Sequence, residues 1–335
     1  MTPPDKQIFR ASAPVRLDFA GGWTDVAPFS DREGGSVVSA AITLRVQAEF
    51  EPGGTGHLLK AEDLGAVERI ATPTDLVRPD GLPLHKAALR MLPTGPGILR
   101  TRSEVPPGSG LGSSGALDVA LVAVLAAARA EEIPREELAG MGFDLEAREA
   151  GLPGGRQDQY SAALGGFNRF TFRGEAVGIE PLALDPAAQE ELGRRTVICY
   201  TGRSRVSSDT IARVMSAYDR GDPGVAAALR QLAALTGGMA QALVAADLAK
   251  VGRLLTANWA AQQRLDPEMS TAEMQELERA VMAAGALGGK AAGAGAGGCM
   301  FFLAGDDVGA VRAAAQASGA RLLDAGWSST GVELC

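Results

Sequence analysis

Pro106–Leu117 reads PPGSGLGSSGAL, and the chain then continues without a break into the apolar, alanine-rich run that ends at Ala130. A turn that cannot be regular gives way abruptly to a segment with every mark of a buried helix. Gly108, Gly110, Gly112 and Gly115 lack a Cβ, so the backbone can turn tightly and come close to a ligand. The helix that follows offers unpaired N–H groups and a positive dipole end at its start. Together they predict an anion site suited to phosphate. The hydroxyls of Ser109, Ser113 and Ser114 can add oxygen ligands.

Three readings of this loop compete. A Walker loop is excluded, because no Gly-Lys-Ser/Thr closes it. Gly110-Leu-Gly112-Ser-Ser-Gly115 fits the dinucleotide fingerprint in spacing, but the Pro-Pro step precedes it and no strand-end acid stands at the right distance downstream. The plainest reading is a helix-start turn without a ligand, since Gly and Ser commonly cap helices.

Two further stretches narrow the choice. Ala13–Asp25, APVRLDFAGGWTD, sets an arginine, a glycine pair and an acid at the end of a strand pattern. Glu146–Gly166, EAREAGLPGGRQDQYSAALGG, holds a helical acid, a glycine turn and Asp158 among small and apolar residues. Gly285–Gly298, GALGGKAAGAGAGG, is a second glycine-rich loop. These motifs, in this order and over nearly the whole chain, resemble the GHMP kinase superfamily. Pro107, Gly110–Ser114 and Gly293–Gly298 occupy the places of its phosphate loop and late motif. AGGWTDVAPFSDREGG, GGRQDQYSAALGGFN and Tyr200–Arg205 resemble its sugar-1-kinase group, which includes heptose 7-phosphate kinases and fucokinases. Trp23 resembles the fucokinase form; heptose kinases more often carry glycine there.

The resemblance implies an α+β, two-domain GHMP fold with the active site in the interdomain cleft, divided into residues 1–185 and 186–335. It implies an ATP-dependent phosphotransferase acting on the anomeric hydroxyl of a hexose or heptose, first a heptose 7-phosphate and alternatively a free sugar such as L-fucose. ATP and Mg2+ are the implied cofactors. Pro107, Gly108, Ser109, Gly110, Leu111, Gly112, Ser113, Ser114 and Gly115 would hold the nucleotide. Asp158 would take the acceptor proton, and Arg16 would stabilise the spread charge of the transition state. Ser114 and Glu146 would be the metal ligands, a sparse oxygen set that suits magnesium. Trp23, Thr24, Asp25, Gly293, Gly295 and Arg203, with Arg205 beside it, would meet the sugar or its phosphate. A decarboxylase of phosphorylated mevalonate on the same fold is disfavoured by GGWTD. A non-catalytic sugar sensor is disfavoured by the presence of Asp158, Arg16 and Glu146.

Composition sets the outer bounds. The chain has 335 residues, enough for two domains, with 46 % apolar and 21 % charged residues. A net charge of −8 argues against a nucleic-acid surface. Cys199, Cys299 and Cys335 show no metal spacing, and two histidines cannot build a His-rich site. No apolar run reaches the roughly 18 residues of a membrane span, and the N-terminus carries no apolar signal region, so a cytoplasmic monomer or homodimer is expected. Lys86 and Lys290 receive no role, and His57 is expected on an exposed turn. Helices are expected over Leu84–Leu92, Arg135–Ala150 and Pro223–Leu265, the last broken near Gly237-Gly238.

Overall fold

The computed structural model describes residues 7–203 and 207–335. Among these, two sheets divide the chain. The larger has eight strands. Its spine runs Glu333–Leu334, Phe9–Ala20, Gly35–Pro52, Gly97–Ser103, His57–Ala61, Ala66–Ile70, while Phe167–Arg173 and Ala176–Pro181 branch from the first half of Gly35–Pro52. All pairs are antiparallel except His57–Ala61 with Gly97–Ser103. The smaller sheet is antiparallel, in the order Arg321–Leu323, Thr196–Tyr200, Cys299–Ala304, Ala286–Ala291.

The helix Ser113–Ala128 is buried on nearly every side. It packs against Phe9–Ala20 and Gly35–Pro52 on one side and against the helices Arg135–Asp144 and Gln157–Leu164 on the other. A helix that is apolar on nearly every side needs such a position. Its start is thereby fixed at the rim of the sheet, where the phosphate loop opens.

The strand Phe9–Ala20 breaks register with its partner between Pro14 and Arg16. Proline has no N–H for the ladder, and a bulge re-aims the residues that follow. Here the Arg16 N–H leaves the sheet and donates to Leu111 O at 2.8 Å. The irregularity ties the first strand to the phosphate loop.

Four local expectations change. The helix Pro223–Val244 runs through Gly237-Gly238 unbroken, and the turn falls at Ala246, with φ 55, before Asp247 caps the next helix, Leu248–Gln262. Two glycines weaken a helix by about 1 kcal/mol each, which tertiary packing outweighs. The first part of the late glycine loop is strand Ala286–Ala291. Gly288 is there for packing, since a Cβ on it would lie 1.9 Å from Gly252 O on helix Leu248–Gln262. Finally, the helix from Arg135 does not reach Ala150 as an α-helix; it ends at Asp144 and continues as one π-helical turn, Leu145–Glu149. His57 begins a strand and is half-buried, not an exposed turn residue.

Ala176–Pro181 is the last strand of the larger sheet before the smaller one opens at Thr196–Tyr200, and the chain end crosses back. Ser328 N–H donates to Ala41 O at 2.9 Å, Leu334 pairs with Ala11, and Trp327 packs on Phe167 at 4.9 Å between ring centres. No helix among the described residues is long and apolar enough to cross a membrane.

Candidate active site

A cleft of about 380 Å³ lies where the phosphate loop, the end of strand Phe9–Ala20, the turn before Gln157 and the late glycine loop converge. Gly108, Gly110 and Gly112 take φ of 66, 77 and 80 and line it, with Ser113 and Ser114 beside them. Side chains would strain those turns. The two glycine loops touch directly. Cys299 N–H donates to Ser109 O at 2.7 Å, and a Cβ on Gly293 would lie 2.5 Å from Gly110 O. Ser109 and Leu111 are fully buried and hold the loop from beneath. Gly115 permits close contact with helix Gln157–Leu164, because a Cβ there would lie 2.5 Å from Asp158 Cβ.

Arg16 is buried at the centre. Its Nε donates to Asp158 Oδ1 at 2.7 Å, and its Nη1 donates to Gly110 O at 2.6 Å and to Ala292 O at 2.8 Å. One guanidinium thus links the first strand, both glycine loops and Asp158, which stands in the first turn of helix Gln157–Leu164.

Glu146 projects from the π-helical turn. Its Oε1 accepts from the Ser114 hydroxyl, and its Oε2 accepts from Gln159 Nε2 at 2.8 Å. Burial raises its pKa to about 7, and the hydrogen bond from Ser114 opposes that rise. The same Gln159 amide donates to the buried Asp118 at 3.2 Å. Burial, then the charge of Glu146, push the Asp118 carboxyl well above the ordinary range. Among the described residues no group of three or more His, Cys, Asp or Glu could hold a metal ion. Ser114 and Glu146 instead bring two hard oxygens into contact at the cleft wall. That fits magnesium, which keeps several waters and takes few protein ligands.

At the other end, Asp25 is buried and accepts from Gln157 N–H at 3.0 Å and, more loosely, from Gln157 Nε2 at 3.4 Å. Burial raises its pKa to about 6, against the backbone hydrogen bond from Gln157. Gly155 makes room for it, as a Cβ there would lie 2.0 Å from Asp25 Oδ2. Trp23 lines the cleft and packs into the second core beside Val26 and Phe29. Its φ of 82 is unusual for a bulky side chain.

The geometry gathers most of the expected residues and separates three. Thr24 is fully buried and faces away from the cleft, its hydroxyl engaged with Gly21 O at 2.7 Å and Ser36 O at 2.9 Å. Gly295 packs against Met269, where a Cβ would lie 2.6 Å from the sulfur. Arg203 pairs with Glu273 at 2.8 Å on the exposed surface. Arg205 lies outside the described residues. Two residues given no role or overlooked prove central: Lys290 Nζ donates to Asp18 Oδ2 at 2.8 Å and to Asp18 O at 2.7 Å, and Asp18 lines the cleft. The signal available was a single lysine within a stretch of small residues. Lys86, also buried, lies elsewhere, paired with Glu68 at 2.8 Å.

Comparison with known proteins agrees with this architecture. The model for the GHMP kinases N terminal domain matches residues 83–166, and that for the GHMP kinases C terminal region matches 239–321. The chain is 29 % identical over 307 residues to D-glycero-alpha-D-manno-heptose 7-phosphate kinase of Campylobacter jejuni, covering 88 % of this chain and 89 % of that protein. It is 30 % identical to the bifunctional fucokinase/GDP-fucose pyrophosphorylase of Arabidopsis thaliana, covering 89 % of this chain but 30 % of that longer protein. A crystal structure of a D-glycero-D-manno-heptose 1-phosphate kinase from Bacteroides thetaiotaomicron superposes with a TM-score of 0.80 at 23 % identity, covering 98 % of this chain and 99 % of that one.

Proposed function

As a member of the GHMP kinases this chain is an ATP-dependent phosphotransferase, and we propose that its acceptor is the anomeric hydroxyl of a hexose or heptose, first among them a heptose 7-phosphate. The observation that carries the reading is the position of Asp158. It is gripped by Arg16 beside the phosphate loop and shares the cleft with Asp25 and Trp23.

In this reading the glycine turns and the start of helix Ser113–Ala128 receive the phosphates of the nucleotide. Asp158 orients the acceptor hydroxyl and takes its proton, while Arg16 keeps that carboxylate in place and offers positive charge to the negative oxygens of the transferred phosphoryl. Ser114 and Glu146 would hold magnesium, which when bound neutralises charge on the phosphates. Asp25 holds a sugar hydroxyl, and Trp23 covers an apolar face of the ring. The buried pair Asp18–Lys290 fixes the floor between the two sheets. We also propose residue 185 as the domain boundary, with the chain end returned to the first unit, and a cytoplasmic monomer or homodimer without nucleic-acid or membrane partners.

One observation favours a free sugar as the second reading. Arg203, the expected phosphate ligand, is committed to Glu273 at the surface.

The deciding experiment is ATP turnover with a panel of free and 7-phosphorylated hexoses and heptoses, read by phosphate-31 NMR of the product. Turnover yielding a sugar 1-phosphate, reduced at least about a thousandfold in Asp158→Asn, is expected for a group that orients the acceptor and takes its proton. A fully active Asp158→Asn enzyme sinks the mechanism, and turnover of unphosphorylated sugars alone selects the second reading.

A further inference from the structure

The helix Leu248–Gln262 reaches two loops of the cleft through two side chains one turn apart. Asn258 and Gln262 stand at i and i+4, on one face of it. Both are buried. Asn258 Oδ1 accepts from the Gly21 N–H at 3.0 Å, at the head of the turn that leads into Trp23 and Asp25. Gln262 Nε2 donates to Gly293 O at 2.8 Å, on the late glycine loop. Among the described residues that line the cleft, none comes from this helix.

We infer that Asn258 and Gln262 are positioning residues that hang the acceptor turn and the late glycine loop on one helix and fix the place of each against the phosphate loop. This rests on the sugar-kinase reading above and extends it to two residues with no role there. Gly252 brings the helix backbone against strand Ala286–Ala291, since a Cβ on it would lie 2.5 Å from Leu287 O. That strand runs on into the late loop. Trp259, next to Asn258, shares the second core with Trp23, Val26 and Phe29. Helix, strand and acceptor turn thus pack as one body.

Side-chain packing cannot set the two loops at these points, because the residues there are glycines. Gly21 takes a φ of 89, and a Cβ on it would lie 2.0 Å from Ser36 O. Its N–H is therefore the group by which the head of the turn can be gripped. Thr24 N–H then closes the turn on Gly21 O at 3.1 Å. Gly293 lies between two grips. Arg16 holds the preceding carbonyl, Ala292 O, from the side of the phosphate loop, and Gln262 holds Gly293 O from the helix. With both carbonyls engaged, the close approach of Gly293 to Gly110 O is fixed, and Gly110 lines the cleft. The two side chains therefore act on different substrates: Asn258 on the sugar, Gln262 on the nucleotide. Pairing buried backbone groups is also what a purely structural role would require, so the test must separate the two.

A crossed pattern of kinetics and binding does so. Asn258→Leu keeps the size and loses the accepting oxygen. KM for the sugar that the wild type turns over should rise about tenfold, less than the roughly hundredfold loss that follows a displacement of about 1 Å. The dissociation constant of a non-hydrolysable ATP analogue should hold. In Gln262→Met the analogue should bind about tenfold more weakly, and sugar KM should change less. Asn258→Asp opposes the structural reading directly. It keeps an accepting oxygen but buries a charge, so its urea midpoint should fall while its sugar KM stays near the wild-type value. Gln262→Met orphans only a carbonyl, a milder loss than an orphaned N–H, so that arm stays readable if Asn258→Leu does not fold. Three results overturn the inference and leave the kinase reading standing: sugar KM and analogue binding that weaken together in both variants, values that hold in both, or a sugar KM in Asn258→Asp that rises as in Asn258→Leu. A wild type that turns over no sugar overturns the kinase reading and removes the Asn258 arm with it; the Gln262 arm then stands or falls on analogue binding.

Discussion

Arg16 binds Asp158 through two nitrogens on one oxygen: Nε at 2.7 Å and Nη2 at 2.6 Å both meet Oδ1. The other two acceptors of this guanidinium are the carbonyls of Gly110 and Ala292, one on each glycine loop. The arginine therefore sets the distance between the carboxylate and the phosphate loop.

Lysine keeps the charge of arginine but has a single nitrogen, so it cannot serve three acceptors in this geometry. In Arg16→Lys, kcat should fall roughly a hundredfold, the effect of displacing a reacting group by about 1 Å. Arg16→Met should in addition lower stability by about 3 kcal/mol, because it leaves a partly buried carboxylate and two carbonyls without their donor. Steady-state kinetics and urea unfolding check the two arms. A lysine variant with wild-type kcat would show that the fork is dispensable.

The metal-side carboxylate gives a pH dependence with a definite sign. Burial raises Glu146 to about 7, so below that pH it is largely protonated and a poor ligand for a hard cation. The apparent affinity for Mg2+, measured with a non-hydrolysable ATP analogue, should weaken as pH falls through about 7 and level off above it. In Glu146→Gln the affinity should be weak throughout and its pH dependence flattened. The Gln159 bridge to Asp118 suggests a milder version in Gln159→Leu, where Glu146 loses its 2.8 Å donor. A wild-type profile that is flat from pH 5.5 to about 8 would remove Glu146 from the metal site.

How much of this was legible beforehand depends on how local the cause is. The phosphate loop was readable because its glycines are demanded by the turn itself, at φ values that other residues avoid. Glycines can also mark packing, and sequence cannot tell the two apart. Gly288 makes room for a helix, and Gly295 lies against Met269 as well as taking a φ of 80. Thr24 followed a motif correctly, but its hydroxyl is consumed by Gly21 and Ser36. The Asp18–Lys290 pair was invisible because its members are 272 positions apart and belong to different sheets. Asp118 did leave a trace, as a lone acid in an apolar helix, where a buried carboxyl needs a partner or a proton.

Contact between the glycine loops should be felt by the nucleotide. Gly293→Ala places a methyl 2.5 Å from Gly110 O and 3.1 Å from Gly110 C, both backbone atoms that cannot swing aside. The phosphate loop must then shift. KM for ATP should rise about tenfold or more, since a small displacement of positioning groups is costly. Gly166→Ala, at a positive φ of 68 with open space around it, is the control for backbone strain alone. It should lower stability without changing KM for ATP. Equal KM values in the wild type and Gly293→Ala would separate the late loop from nucleotide binding.

The sugar-side carboxylate should trade stability for function. Asp25 is raised from 3.8 to about 6 by burial, so the folded state holds its proton more tightly than the unfolded chain does. Between pH 3.8 and about 6 the folded protein binds more protons than the unfolded one, and its stability falls as pH rises through that window. Above it the full cost remains, on the order of 3 kcal/mol at 1.36 kcal/mol per pKa unit. Asp25→Asn keeps the oxygen that accepts from Gln157 N–H and removes the charge. At pH 7.5 the variant should be more stable to urea by up to about 3 kcal/mol, and the difference should shrink toward zero as pH falls below about 4. Its sugar KM should rise, because a carboxylate that accepts from two hydroxyls is replaced by an amide with one acceptor oxygen. A variant that is less stable at neutral pH would show that the Asp25 charge is compensated by the protein, and that its burial is not held in reserve for a ligand.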